Sequence, residues 1–312
     1  MSGTQLRAGV IGVGSMGRNH ARVYQELSDT KLVGVADADR AAAIRVATEY
    51  GTSALDTDVL LDRVDVVSIA VPTPVHATLV EKPFVDDPAR GRELAAAARA
   101  AGVTLQVGHI ERFNPAVRTL ADIVPNLDVM AVTAERLGPP LDREMESNVV
   151  FDLMIHGIDI VRSMLGDDPV SVTASGTAEG DYATACCSFD DGAVASLTAS
   201  RVTQQKVRRL AVTARECRVT VDYTDQSVEI HRSSTPEYVA SDGDIRHRTE
   251  SVVERPLVEN GEPLKHELSA FAEAVREGTE PVVTAEDGVR AVELAQRINE
   301  LIVTRSATEV PQ

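Results

Sequence analysis

Asp152, His156 and Asp159 stand four and then three residues apart inside an otherwise apolar stretch, VVFDLMIHGIDIV, residues 149–161. On a helix that spacing stacks the three side chains along one stripe. Imidazole titrates nearest neutral pH and can take the proton of a hydroxyl, while a flanking carboxylate can orient the ring or bind a neighbouring hydroxyl. Ionisable groups are costly to bury without partners, so a cleft, a charge partner or a ligand is expected beside them. The plain alternative is an exposed polar face of an ordinary helix. Asp159 suits that alternative best, as a residue that caps or solvates the face.

A second constellation lies near the N-terminus. GVIGVGSMG places Gly12, Gly14 and Gly17 as G-x-G-x-x-G, with Ser15 and Met16 between the last two, after a strand-like run and before a helix-like one. Glycines there permit a tight turn and close backbone approach, and a helix N-terminus offers unpaired amides to a pyrophosphate. Asp37 follows twenty residues after Gly17, where an acid accepts hydrogen bonds from both hydroxyls of an adenosine ribose. The pattern therefore predicts NAD rather than NADP. Arg40 is the nearby residue that would suit a 2′-phosphate instead.

Those residues need elements to hold them. LRAGVIGVG, KLVGVAD, VDVVSIAV and TLQVGHI read as strands, alternating with helical stretches at 16–27, 39–50, 59–63 and 87–101. That grammar is an α/β domain with a mostly parallel sheet, assigned to 1–113. From about 114 the pattern changes to one long helix, 148–165, and then period-two segments: PVSVTAS, ATACCSF, VASLTAS, RRLAVTA, CRVTVDY and VEIHR. This predicts an α+β domain over 114–312 with a large, open, mainly antiparallel sheet. Helices near 264–276 and 285–303 close the chain, the last able to pack back on the first domain. An open sheet leaves a face to cover, so a homo-oligomer, dimer or tetramer, is expected.

One junction breaks the pattern. Pro72 and Thr73 fall at the predicted cofactor edge of the first sheet, and LVEKP downstream looks like another strand. Only seven residues separate Val71 from Leu79, whereas a parallel crossover usually carries a helix. Either that strand is absent or placed elsewhere, or a crossover segment is missing between Pro72 and Glu81. The second alternative is preferred.

Composition bounds the rest. The 312 residues carry a net charge of −17, which excludes the basic stripe that nucleic acid binding needs. Only four of the 31 basic residues are lysine, and the acidic, arginine-rich balance hints at adaptation to high salt. No apolar run spans a membrane and no signal segment opens the chain, so a soluble cytoplasmic protein is expected. Cys186, Cys187 and Cys217 match neither a metal spacing nor a disulfide framework, and are expected as buried thiols; no metal site is predicted.

With GVIGVGSMGRNH, EKP and DLMIHGID in that order, the chain resembles the family of glucose–fructose oxidoreductase and inositol dehydrogenase over nearly its whole length. The resemblance implies an N-terminal Rossmann domain, an open-sheet C-terminal domain, and an active site in the cleft between them. It implies that Lys82 of EKP is the active-site lysine, with Glu81 beside it at the cofactor edge, and that Asp152 and His156 face it. His156 would act as base, Lys82 would hydrogen-bond the reacting oxygen, and Asp152 would orient the imidazole or bind a hydroxyl. The segments GHIERFNP and ASRVTQQKVRRL look most like members that oxidise the 3-hydroxyl of UDP-N-acetylglucosamine. Arg112, Asn114, Lys206 and Arg208 are their candidate substrate contacts, the three cations suiting a diphosphate. A dehydrogenase of free inositol or monosaccharide and a non-catalytic NAD-binding regulator are the alternatives. An imine or biliverdin reductase would leave the D-x-x-x-H helix without a purpose.

Overall fold

The computed structural model describes residues 5–69, 77–140, 148–166, 168–233, 237–241, 244–248 and 250–308. Strand β1 (Leu6–Ile11) leads into α1 (Ser15–Glu26), then β2 (Thr30–Ala36), α2 (Arg40–Glu49), α3 (Thr57–Leu61), β3 (Val66–Ile69), β4 (Ala77–Glu81), α4 (Pro88–Ala100) and β5 (Thr104–Gly108). A 3-10 turn, Ile110–Phe113, precedes α5 (Pro115–Ile123) and β6 (Val129–Leu137). A π-helical turn, Val150–Met154, runs directly into α6 (Ile155–Leu165). Strands β7 (Ser171–Gly176), β8 (Tyr182–Ser188), β9 (Val194–Ser200), β10 (Val207–Ala214), β11 (Arg218–Asp222) and β12 (Ser227–Ser233) follow. The chain continues through β13 (Glu237–Ser241), β14 (Asp244–Arg248), β15 (Ser251–Glu254), α7 (Pro263–Glu277) and α8 (Ala285–Thr308).

Two compact units result. The first takes Met1–Phe113 with Gly261–Glu293, the second Asn114–Asn260 with Leu294–Gln312. The first unit is an α/β domain on a five-stranded sheet, order β2-β1-β3-β4-β5, parallel throughout. LVEKP therefore does contribute a strand: β4 pairs beside β3, Val67 opposite Thr78, which removes the first alternative at the short junction. The connection itself, with Pro72 and Thr73, lies outside the described residues. Strand interiors such as Val10, Val35, Val67 and Leu79 are fully buried, as expected for parallel strands covered on both faces. Helix α7 supplies part of that cover, because Leu264, Leu268 and Phe271 join the cluster formed by β1, α1 and β2.

The second unit carries an eight-stranded sheet, order β15-β12-β11-β10-β6-β9-β8-β7, antiparallel except where β6 runs parallel to β9. A separate hairpin joins β13 and β14. Strand β6 sits near the middle of this sheet although none of the period-two segments read from the sequence includes it. Alternation puts Ala185, Cys187, Ala195 and Leu197 inside, and leaves Thr184, Cys186, Ser196 and Thr198 unburied. That corrects one expectation: adjacent strand residues point to opposite faces, so Cys186 is exposed while Cys187 and Cys217 are buried. Burial, then the neighbouring Cys186, pushes the Cys187 thiol up to about 11. Helix α6 lies close on β6 and β9. A Cβ on Gly157 would come within 3.1 Å of Leu197 Cδ2 and 3.3 Å of Ala134 Cβ, so the glycine sets how near the helix can come.

Phe271 is fully buried, and Phe271→Ala should lower the free energy of unfolding by about 3–5 kcal/mol. The exposed Leu257→Ala should change it by less than about 0.5 kcal/mol in the same denaturant titration. Equal effects at the two positions would show that α7 is not part of the first core.

Candidate functional site

In the first unit the glycine turn forms where β1 ends. Gly12 has φ 86°, a left-handed conformation that favours glycine, and its N–H donates to Ala36 O at 2.8 Å. Gly17 is required for a different reason: a Cβ there would stand 1.7 Å from Gly12 O. Gly14, the N-cap of α1, has nothing within 4 Å of its Cβ direction and makes no side-chain cap, and Gly14, Ser15 and Met16 are exposed. An uncapped helix start facing open space is what a pyrophosphate needs. Asp37 follows β2, its Oδ2 accepting from the Val13 N–H at 2.6 Å and its Oδ1 from the Asp39 N–H at 2.8 Å. The backbone thus fixes the carboxylate against the turn, and each oxygen keeps a lone pair for a ribose hydroxyl. Arg40 points to another acid, Asp56, at 3.1 Å. These residues fit a dinucleotide.

Glu81 ends β4, opposite Gly108 of β5, and its Oε1 is hydrogen-bonded to Nε2 of buried His20 at 2.9 Å. Lys82 follows, partly buried, with a cis bond to Pro83. Arg112, in the 3-10 turn, lies 3.8 Å from Asp287, whose other oxygen accepts from the N–H and hydroxyl of Thr284.

In the second unit the helix that the sequence suggests over 148–165 is not uniform. Asn148 Oδ1 accepts from the N–H groups of Val150 and Phe151, and the π turn that follows carries Asp152, while His156 and Asp159 stand on regular α6. The single α-helical stripe is therefore corrected: the wider turn rotates Asp152 relative to the other two, and such turns recur at functional sites. His156 and Asp159 are buried, so Asp159 is no solvated surface residue. Asp152 is partly exposed and lies 3.7 Å from Arg201, which also reaches Asp181 at 3.8 Å. Arg201 was not among the sequence candidates; its position one residue beyond β9 is the signal that could have found it, because β9 and β6 end together, Leu137 opposite Ser200.

Strand β10 starts at that same sheet end, Val207 opposite Leu137. Arg208 donates to the carbonyls of Leu137 and Val207 at 2.5 and 2.8 Å, and Lys206 is exposed just before the strand. Asp152, Arg201, Lys206 and Arg208 consequently share one end of the sheet. Asn114 also has a structural task. Its Oδ1 caps α5 through the Ala116 N–H and its Nδ2 donates to Tyr223 O, both at 3.1 Å. Among the described residues no cluster of His, Cys, Asp and Glu could hold a metal, and no helix is long and apolar enough to cross a membrane.

A parallel sheet with a glycine turn sealed by an acid, joined to a larger mostly antiparallel sheet, defines a dinucleotide-binding oxidoreductase architecture. Residues 6–109 match the model of the oxidoreductase family with an NAD-binding Rossmann fold, and 139–306 the family's C-terminal alpha/beta domain. The chain belongs to the GFO/IDH/MocA oxidoreductase family. It is 35% identical to UDP-N-acetylglucosamine 3-dehydrogenase of Acidithiobacillus ferrooxidans over 72% of this chain and 77% of that protein. It is 30% identical to inositol 2-dehydrogenase of Rhizobium meliloti over 93% and 94%. A solved structure of the Acidithiobacillus ferrooxidans enzyme superposes with a TM-score of 0.85 at 30% identity, covering 96% of this chain and 98% of that one.

The two glycines should respond differently to one added methyl. Gly17→Ala forces a backbone clash and should lose more than about 1–3 kcal/mol of stability, whereas Gly14→Ala should stay within about 0.5 kcal/mol of wild type in the same unfolding assay. A stable Gly17→Ala protein would refute the turn as described.

Proposed function

We propose that the chain is an NAD-dependent dehydrogenase that oxidises a secondary hydroxyl of a sugar or nucleotide sugar, with the 3-hydroxyl of UDP-N-acetylglucosamine as its reaction site. The observation that carries this reading is the pairing, in one chain, of a dinucleotide turn locked by Asp37 with an acid–imidazole helix whose start shares a sheet end with three cationic side chains. The 35% identity to a UDP-N-acetylglucosamine 3-dehydrogenase supports the substrate.

Gly12, Gly14, Ser15, Met16 and Gly17 would hold the pyrophosphate, and Asp37 the adenosine ribose. Pro72, Thr73 and Glu81 complete the proposed cofactor edge. Bound NAD supplies the hydride acceptor. His156 takes the hydroxyl proton as base, and Lys82, as an ammonium, hydrogen-bonds the reacting oxygen and stabilises its developing negative charge. Asp152, with Arg201 beside it, binds a hydroxyl or orients the ring. Lys206 and Arg208, with Arg112 and Asn114, are the proposed diphosphate and sugar contacts; the copies assemble as a homo-oligomer, a dimer or tetramer.

A second reading, oxidation of free inositol, is favoured by a specific observation: Arg112 is drawn to Asp287 and Arg208 to backbone carbonyls, which leaves fewer cations for a diphosphate. The inositol 2-dehydrogenase relative also aligns over more of the chain. Absorbance of reduced nicotinamide, followed with nucleotide sugars and polyols, separates the two. UDP should inhibit competitively if the nucleotide sugar is the substrate, and turnover with inositol that UDP leaves untouched would reject it.

His156→Ala and Lys82→Ala should each reduce turnover by about a hundredfold or more while NAD affinity stays near wild type. Near-normal turnover in both would reject the assignment. Asp37→Ala should weaken NAD and narrow its advantage over NADP, and a wild-type preference for NADP would overturn the cofactor.

A further inference from the structure

A glutamate in the first unit lacks any described hydrogen-bond partner. Glu267 of α7 is 0% exposed, and neither carboxyl oxygen has a hydrogen-bond partner among the described residues. Helix α7 packs on α1, on β5 and on the 3-10 turn Ile110–Phe113. Those elements carry His20 and Tyr24 on α1, Gln106 on β5, and His109, Glu111 and Arg112 after it, and the charges that act on Glu267 are those of Glu81 and Glu111. The guanidiniums are engaged elsewhere: Arg22 of α1 pairs with Glu26 and Glu262, Arg112 with Asp287. Nε2 of His20 is hydrogen-bonded to Glu81, and Tyr24 pairs with Ser68 at 2.8 Å. The buried amide of Gln106 also has no hydrogen-bond partner among the described residues. Carboxylates only accept hydrogen bonds, so Glu81, Glu111 and Glu267 cannot satisfy one another unless a proton sits among them. Burial, then the charges of Glu81 and Glu111, push the Glu267 carboxyl well above the ordinary range.

We propose that Glu267 is a positioning residue for Lys82: a buried, neutral carboxylic acid that sets no second charge beside Glu81 at the end of β4 and so holds the Glu81–Lys82–Pro83 turn in place. The role rests on the reading of Lys82 as an active-site residue, whereas the neutral state of Glu267 stands without it. Protonated, the group adds no like charge beside Glu81. Ionised, it would repel Glu81 and loosen the His20–Glu81 contact that anchors the turn.

Thermodynamic linkage gives the test a defined sign. Above the ordinary glutamate pKa, unfolded wild type releases a proton that the native state keeps, so native stability falls as pH rises until the native group itself titrates. Glu267→Gln has no such proton. In equilibrium unfolding of the whole chain between about pH 5 and about pH 8, wild type's folding constant should fall relative to Glu267→Gln by about tenfold per pH unit over part of that range. Parallel curves for the two proteins would overturn the neutral acid. For the positioning role, Glu267→Leu should lower kcat about tenfold or more with little change in KM for NAD, and Glu267→Gln, which keeps a donor, should restore it. Equal losses in both variants would overturn that role. If Lys82→Ala turns over normally, the catalytic reading and the positioning role fall together, and the unfolding comparison still decides whether Glu267 is protonated.

Discussion

The near-contact of α1 with the β1 turn governs the first unit. With no side chain at Gly17, the first turn of the helix lies against Gly12 O at a distance that no other residue allows. Two consequences follow from that one approach. The helix start and its unpaired amides come to the end of the sheet, where a negatively charged ligand is favoured. Val13 is brought within reach of Asp37, so the acid that would read a ribose is bolted to the same turn. Binding surface and packing surface are here the same few atoms.

The second unit solves a comparable problem with an antiparallel sheet. Gly157 lets α6 sink onto β6 and β9, which draws His156 and Asp159 into buried surroundings. The π turn before it changes the angular step per residue, so Asp152 stays partly exposed and meets Arg201. An ion pair at 3.7 Å is loose enough for either partner to turn toward a ligand, and its strength falls as water enters. The parallel pairing of β6 with β9 brings two strand ends and the start of β10 to the same edge, which is why Arg201, Lys206 and Arg208 share it although five residues separate Arg201 from the strand that holds Arg208.

Much of this was legible because local rules and fold agree. The strand–glycine–helix spacing and the acid after the second strand specify the turn almost by themselves, and period-two alternation marks β7 to β12. The missed features are those decided by long-range contact. VMAVTAERL of β6 mixes helix-favouring and strand-favouring residues, and only its neighbours β10 and β9 make it a strand. The π turn differs from an α turn by one hydrogen-bond step that no residue type announces. The N-cap role of Asn114 went unread, although the proline that follows it is a local signal for it. At the short junction before β4 the sequence left two alternatives, and the pairing of β4 with β3 removes the one in which the strand is absent or elsewhere.

Charge is the remaining constraint, and the arginines show how it is managed. Arg7 grips Asp65 with two bonds, Nη2–Oδ1 2.7 Å and Nε–Oδ2 3.1 Å, and holds that carboxyl below its usual range. Arg18–Glu49, Arg215–Asp128 and Arg290–Glu286 are further exposed pairs. Each contributes about 0–1 kcal/mol, yet the planar guanidinium matches a carboxylate in a way lysine cannot. Pairing cannot neutralise a chain with 48 acids and 31 bases, so a net negative field remains over the surface. A nucleotide sugar, the substrate proposed above, would approach such a surface against repulsion. Cations gathered at one sheet end, Arg201, Lys206 and Arg208, would then act less by adding affinity than by opening a local gap in that field, an effect that dissolved salt progressively removes the need for.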